Sequence, residues 1–68
     1  MKRFQIAFCY TVNGEIEKDL QGYDNIYVAV VCASTKEKAV DEFFKIENFK
    51  EKPDIVDIVD LGENTLFD

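Results

Sequence analysis

The chain has 68 residues and a formal net charge of −6 at neutral pH. Surfaces that bind phosphate need clustered lysine and arginine, so this composition argues against direct binding to nucleic acid or to anionic membranes. Hydrophobic residues make up 47% of the chain and charged residues 32%, a globular rather than a disordered composition. We expect one small domain over residues 1–68, which a basic protein partner would attract.

Residues 4–12, FQIAFCYTV, alternate between large apolar side chains and small or polar ones. This period of two is typical of a strand with one buried face. The Asn-Gly pair at 13–14 is a strong signal for a tight turn between paired strands. A two-residue turn would place Val12 opposite Glu15, whereas a three-residue loop would place Val12 opposite Ile16. We expect the second register because it keeps apolar residues together.

The segment IYVAVVCA, residues 26–33, is apolar throughout and rich in β-branched residues, which predicts a strand covered on both faces. The next residues, STKE, form a capping box in which the Ser34 hydroxyl would accept a hydrogen bond from the backbone N–H of Glu37. A helix then extends from Thr35 to Asn48, the expected left-handed stop. Its predicted apolar side consists of Ala39, Val40, Phe43, Phe44 and Ile46.

DIVDIVDL, residues 54–61, carries an acid at every third position, which on a helix would form a stripe of carboxylates. Pro53 precedes it, half of its residues are β-branched, and it has no helix cap, so we expect a strand. On a strand, acids three positions apart lie about 10 Å from each other and on alternate faces, too far apart to bind one metal ion. The mixed polarity of both faces is typical of an edge strand, and Gly62 is its expected end.

The predicted order of elements is ββ(β)αβ, with residues 16–20 either a short edge strand or a loop. This order predicts an α+β fold, in which one helix packs on one face of a small, mainly antiparallel sheet of three to four strands. A single helix leaves the other face of the sheet open. The strand at 26–33 would make that face apolar, and Val56 and Ile58 would extend it.

The chain offers few groups for chemistry. It has no histidine, which removes Ser-His-Asp and Cys-His arrangements and most zinc sites. Cys9 and Cys32 lie in apolar runs, so we expect two buried free thiols rather than a disulfide. We therefore expect no enzymatic activity, no cofactor and no metal. No segment approaches the about 20 apolar residues of a membrane span, and we expect a cytoplasmic protein.

Acids and tyrosines in or beside the polar loop 15–25 and on the strand 54–61 are the candidate partner-binding residues. They are Glu15, Glu17, Asp19, Tyr23, Asp24, Tyr27, Asp54, Asp57 and Asp60. We expect a non-catalytic protein-binding module, in its narrower form an acidic inhibitor or decoy of a basic partner that handles nucleic acid. The alternatives are a structural homodimer or accessory subunit, which would cover the open face, and a cation-binding module built on the loop.

The layout of "FQIAFCYTVNGE", then "VVCASTKEKAVDEFF", then "IVDIVDL" extends over most of the chain. It resembles very small, acidic β-β-α-β proteins of phages and mobile elements, some of which inhibit host defence or nucleic-acid enzymes, certain anti-CRISPR proteins among them. The resemblance implies a protein-binding role. It carries over no individual functional residue.

Overall fold

The computed structural model describes residues 1–46 and 49–63. Within those ranges the chain forms five strands and one helix. In chain order they are β1 (Lys2–Cys9), β2 (Thr11–Val12), β3 (Glu15–Ile16), β4 (Tyr27–Ala33), α1 (Lys36–Ile46) and β5 (Asp54–Glu63). The expected α+β fold is confirmed.

The main sheet has three strands in the order β4-β1-β5, and both pairings are antiparallel. Strand β1 is central because it pairs with both β4 and β5, and its alternation places its large apolar residues in one row on the face that α1 covers. The segment 54–61 is a strand, as expected, and it lies at one edge of the sheet. The short strands β2 and β3 form a separate hairpin.

The hydrophobic core lies between α1 and one face of the sheet. Phe4, Ile6 and Phe8 of β1 point into it and meet Ala39 and Phe43 of the helix. Ile6 and Phe43 have no exposed surface at all, and full burial of such side chains contributes about 1.5–3 kcal/mol each. The helix residue Ile46, expected on the apolar side, is instead 66% exposed.

An aromatic cluster fixes the end of the sheet where the chain leaves β1. Phe8 is at its centre: its ring lies 5.0 Å from that of Phe43, 5.6 Å from that of Phe49 and 5.5 Å from that of Tyr27. Such pairs stabilise beyond their buried area. The cluster therefore ties the connector that follows the helix to the sheet. Its members are Phe8, Tyr10, Tyr27, Phe43, Phe44 and Phe49.

The turn between β2 and β3 has two residues, so the expected three-residue loop is wrong. Val12 pairs with Glu15, and Thr11 pairs with Ile16. Asn13 and Gly14 both have positive φ, 54° and 80°, the combination that a type I′ turn requires. The turn decides the register here because Val12 is exposed and would gain little from an apolar partner.

The helix is capped one residue later than expected. The Thr35 Oγ1 accepts a hydrogen bond from the backbone N–H of Lys38 at 3.2 Å, which makes Thr35 the N-cap in place of Ser34. Ala33 is the last residue of β4 and is buried, so two residues are needed to turn the chain into the helix. The expected stop at Asn48 lies outside the described residues.

Strand β5 contains two bulges, which overturn the expected assignment of its faces. Pairing passes from Phe8–Ile55 to Ala7–Asp57, so Val56 is an extra residue. Ile58 therefore packs against the core rather than on the open face. The second bulge lies at Leu61, and Gly62, with φ of 85°, belongs to it rather than ending the strand. The strand continues to Glu63, which pairs with Lys2.

Candidate functional site

The sheet face opposite the helix carries side chains from all three strands. Because strand residues alternate between faces, the neighbours of the buried Phe4, Ile6 and Phe8 point away from the core. The register places them in rows across the sheet: Val30, Gln5 and Val59 form one row, and Val28, Ala7 and Asp57 form the next. We call this surface the open face and define it by Arg3, Gln5, Ala7, Val28, Val30, Cys32, Asp57 and Val59.

The open face is apolar at its two sides. Val28 and Val30 are each 57% exposed on β4, and Val59 is 41% exposed on β5. The expectation that the strand at 26–33 is covered on both faces is therefore wrong, because the described residues supply one helix and it lies on the other side. The expected burial of both thiols is also wrong for Cys32, which is exposed; Cys9 is buried, and both thiols are free.

Two charged residues of opposite sign lie on the open face. Asp57 is exposed, and within residues 1–46 and 49–63 it makes no hydrogen bond or ion pair. The Nε of Arg3 is buried and has no hydrogen-bond partner in the same part of the chain. A buried N–H without a partner is unusual in a folded protein. The exposed carboxylate of Asp57 can pair with a molecule that covers this face, whereas the Nε of Arg3 is already shielded from solvent.

The other two aspartates of β5 already have partners. The Asp54 Oδ2 accepts a hydrogen bond from the Thr11 hydroxyl at 3.0 Å. Asp60 lies opposite Phe4, and thus on the other side of the sheet from Asp57. Its carboxylate accepts a hydrogen bond from the Gly62 N–H at 2.7 Å, which is the main cause that lowers the pKa of Asp60. Lys2, 3.4 Å away, contributes to the same shift.

The loop 15–25 folds back on itself, and most of its acids serve this local structure. Asp19 accepts hydrogen bonds from the backbone N–H groups of Gln21 and Tyr23, at 2.9 and 3.0 Å. Lys18 and Asp24 form an ion pair beside their backbone bridge, and this hydrogen bond to Asp24 raises the pKa of Lys18. Beyond Ile16 the segment is thus a small hairpin rather than a strand of the main sheet.

The remaining candidates are placed as follows. Tyr27 stacks on Phe8, and its hydroxyl lies 3.4 Å from the Oε1 of Glu17, which also accepts a hydrogen bond from the Asn25 amide. Tyr23 is 68% exposed at the tip of the hairpin, and Glu15 is exposed beside the tight turn. The structure therefore spreads the nine candidate residues over several parts of the molecule, and of the three aspartates of β5 it puts Asp57 on the open face.

Two shallow depressions lie beside the open face, and one of them shares Cys32 with it. One lies beside the hairpin of β2 and β3 and the other between β4 and α1, and both have mixed polar and apolar walls. Among the described residues, no three His, Cys, Asp or Glu side chains lie close enough together to hold a metal ion. Residues 1–46 and 49–63 contain no helix that is both long and apolar enough to cross a membrane.

Comparison of the chain with protein-family models, with curated proteins and with solved structures gives no significant match.

The sequence-based candidates omitted the exposed apolar residues of the open face, Val28, Val30 and Val59. A signal for them exists in the sequence. Both faces of the strand at 26–33 are apolar, yet the sequence predicts a single helix, which can cover one of the two faces. The candidates were mainly acids, many of which lie in the loop 15–25. In the structure, acids of that loop accept local hydrogen bonds instead.

Proposed function

We propose that this chain is a non-catalytic protein-binding module and that its contact surface is the open face. The observation that supports this proposal is the exposure of Val28, Val30 and Val59 on a sheet face that carries no helix among the described residues. Exposed apolar patches bordered by polar groups mark protein interaction sites more often than random surface does. The lack of histidine and of converging metal ligands in the described residues supports a role without catalysis.

The partner is a protein with an apolar patch bordered by basic side chains. Its apolar part would cover the valines, and a basic residue at its rim would pair with Asp57. The net charge of −6 would speed the approach of such a partner. The acids lie on different sides of the molecule, so they attract a basic surface at long range rather than reproduce the spacing of a phosphate chain.

The narrower form of the proposal is an acidic inhibitor of a basic partner that handles nucleic acid, in the cytoplasm. Its support is the charge of the chain, the two free thiols and the layout shared with small phage and mobile-element proteins. Occupying the partner's basic surface would exclude nucleic acid from it by competition. An assay in which this chain and a nucleic acid compete for the captured partner tests the proposed inhibition directly.

Affinity purification from the native host's lysate, with proteins identified by mass spectrometry, tests the proposal. Val59→Lys places a charge on the apolar part of the proposed contact surface that β5 supplies. Ile46→Lys makes a similar exchange on the helix, at a residue that is also exposed. A partner that wild type and Ile46→Lys retain and Val59→Lys loses supports the proposal. Retention by all three proteins, or equal loss from both variants, contradicts it.

A matched pair of variants tests the electrostatic contribution of Asp57 to partner binding. Asp57→Lys and Asp41→Lys change the net charge equally, but Asp41 lies on the exposed side of α1. We expect Asp57→Lys to weaken binding about tenfold more than Asp41→Lys, because it alone loses a contact. Added salt should slow the association of wild type. Equal effects of the two substitutions would leave Asp57 outside the interface.

A structural homodimer or accessory subunit is the second candidate function. The same exposed valines favour it, because two copies could stack their open faces. Sedimentation of wild type and Val59→Lys tests this arrangement. A dimer that Val59→Lys dissociates supports stacking, and a wild-type protein that stays monomeric removes it.

A further inference from the structure

The two edges of the main sheet differ in how they are protected against pairing with another strand. Strand β5 carries two bulges and the acids Asp54, Asp57 and Asp60, and both features discourage pairing at an edge. Strand β4, at the opposite edge, has neither. Its pairing with β1 is unbroken from Ala33 to Tyr27.

The outer edge of β4 is free in the part of the chain that the structure describes. No other strand there pairs with it, so its outward N–H and C=O groups lack strand partners. The strand has seven residues, is wholly apolar and contains no proline. A long, regular and uncharged edge of this kind is a template for another strand.

A second copy of the chain supplies a matching strand, because its own β4 is equally long, regular and free of charged side chains. Two molecules that each carry a charge of −6 repel one another on most approaches. Residues 25–35 contain no charged side chain, so the paired strands themselves bring no acids together. Beside Cys32, α1 presents charges of both signs, namely Lys38, Asp41, Glu42 and Lys45. The bulged and acidic edge at β5 is much less suited to the same contact.

We propose that β4 pairs antiparallel with β4 of a second copy, which joins two sheets into one of six strands. The two-fold axis passes through Val30, the middle residue of the strand, so that all seven residues find partners. Val30 then lies opposite Val30 of the other copy, and Val28 lies opposite Cys32 of the other copy. Cross-strand pairs of β-branched residues stabilise such a sheet.

This pairing leaves the open face uncovered and joins the two copies' valine rows into one surface. The dimer would thus offer a basic partner two contact surfaces side by side, which raises avidity for a repetitive target. The pairing does not depend on the proposed function. A monomeric protein would overturn the pairing and leave binding of another protein through the open face untouched.

Sedimentation equilibrium over a range from micromolar to about millimolar concentration tests the pairing, with Val30→Lys and Val59→Lys as matched variants. Both residues lie on the open face and in one row across the sheet, but on opposite edges. We expect wild type and Val59→Lys to dimerise alike. Val30→Lys puts like charges opposite each other, and we expect its dimer dissociation constant to rise tenfold or more, by about 1.4 kcal/mol.

Hydrogen exchange gives a second readout that needs no variant. We expect the outward amides of residues 27–33 to gain protection as wild-type concentration rises, while those of β5 do not. Three results would overturn the pairing: a wild type that stays monomeric, a dimer that both variants weaken equally, or a dimer that neither weakens. Protection of β4 only after another protein is added would assign the edge to a strand of that protein. If Val30→Lys does not fold, the exchange pattern decides alone.

Discussion

Ile55 and Ile58 face the same side of the sheet, although three positions separate them and residues three apart in a regular strand face opposite sides. The bulge at Val56 is the reason, because it adds one residue between two core positions. The three-residue repeat of DIVDIVDL is therefore a strand's period of two plus one bulge residue. It also explains why Asp57 lies on the open face.

The bulge predicts different costs for neighbouring substitutions. Ile58→Ala should lower the free energy of unfolding by about 2 kcal/mol, near the low end for buried isoleucine because this residue is half-buried. Val56→Ala should change it by less than about 0.5 kcal/mol, since Val56 is exposed. Urea unfolding of both variants measures the difference. Equal losses would show that β5 has no bulge at Val56.

The tight turn predicts a strict requirement for glycine at position 14. Gly14 has φ of 80°, so Gly14→Ala should destabilise the fold by about 1 kcal/mol although no atom lies near the added Cβ. Asn13→Gly is the control, because glycine also adopts the φ of 54° found there. Thermal unfolding followed by circular dichroism compares the two. A harmless Gly14→Ala would favour the three-residue loop instead.

The position of the helix cap is testable with two neighbouring alanine substitutions. Thr35→Ala removes the hydroxyl that accepts from the Lys38 N–H and should cost about 1 kcal/mol. Ser34→Ala should lower the free energy of unfolding by only a few tenths of a kcal/mol, because Ser34 caps nothing among the described residues. Chemical denaturation ranks the two variants. The reverse ranking would restore the capping box that begins at Ser34.

Asp60 predicts a pH dependence of stability. The pKa of Asp60 is lowered in the fold, mainly by the Gly62 N–H and also by Lys2, so its carboxylate stabilises the protein above the unfolded pKa. That stabilisation disappears as the pH falls through the lower, folded pKa. We therefore expect Asp60→Asn to be less stable than wild type near about pH 7 and as stable as wild type near about pH 2.

Urea unfolding at the two pH values measures this difference. Asp57→Asn is the control, since it removes a carboxylate that has no hydrogen bond or ion pair among the described residues. If the difference in free energy of unfolding between wild type and Asp60→Asn persists at the acidic pH, the charge of Asp60 is not the cause of that difference.

The elements that the sequence predicted well are those with a clear hydrophobic period or with a proline at their boundary. The proline before β5 places the start of that strand correctly. The alternation over 4–12 identifies β1 but not its end at Cys9, and it merges β1 with the separate strand β2. The register between β2 and β3 was missed because side-chain pairing was weighed above the φ angles that Asn13 and Gly14 adopt. The bulges of β5 depend on its fit to β1, which no single segment reveals.

The candidate site was predictable only in part. The sequence indicated an open sheet face, and the structure confirms the exposure of β4 on that side. The sequence could not show that Asp19 and Asp24 of the loop are engaged locally, since their partners are backbone N–H groups and Lys18 in a particular fold of the hairpin. The alternation of the strand already separated Asp57 from Asp60, but the sequence could not show that the bulge at Val56 makes Asp57 the one on the open face.

The most direct test of the open face as the contact surface uses its own thiol. Cys32 is exposed on that face, whereas Cys9 is buried, so alkylation of the free protein should modify Cys32 first. The measurement is the rate of Cys32 alkylation in the complex with the captured partner, relative to the free chain at the same concentration. We expect a rate at least about tenfold lower in the complex, since the partner covers the face. An unchanged rate in a fully formed complex would place the contact elsewhere and contradict the proposal.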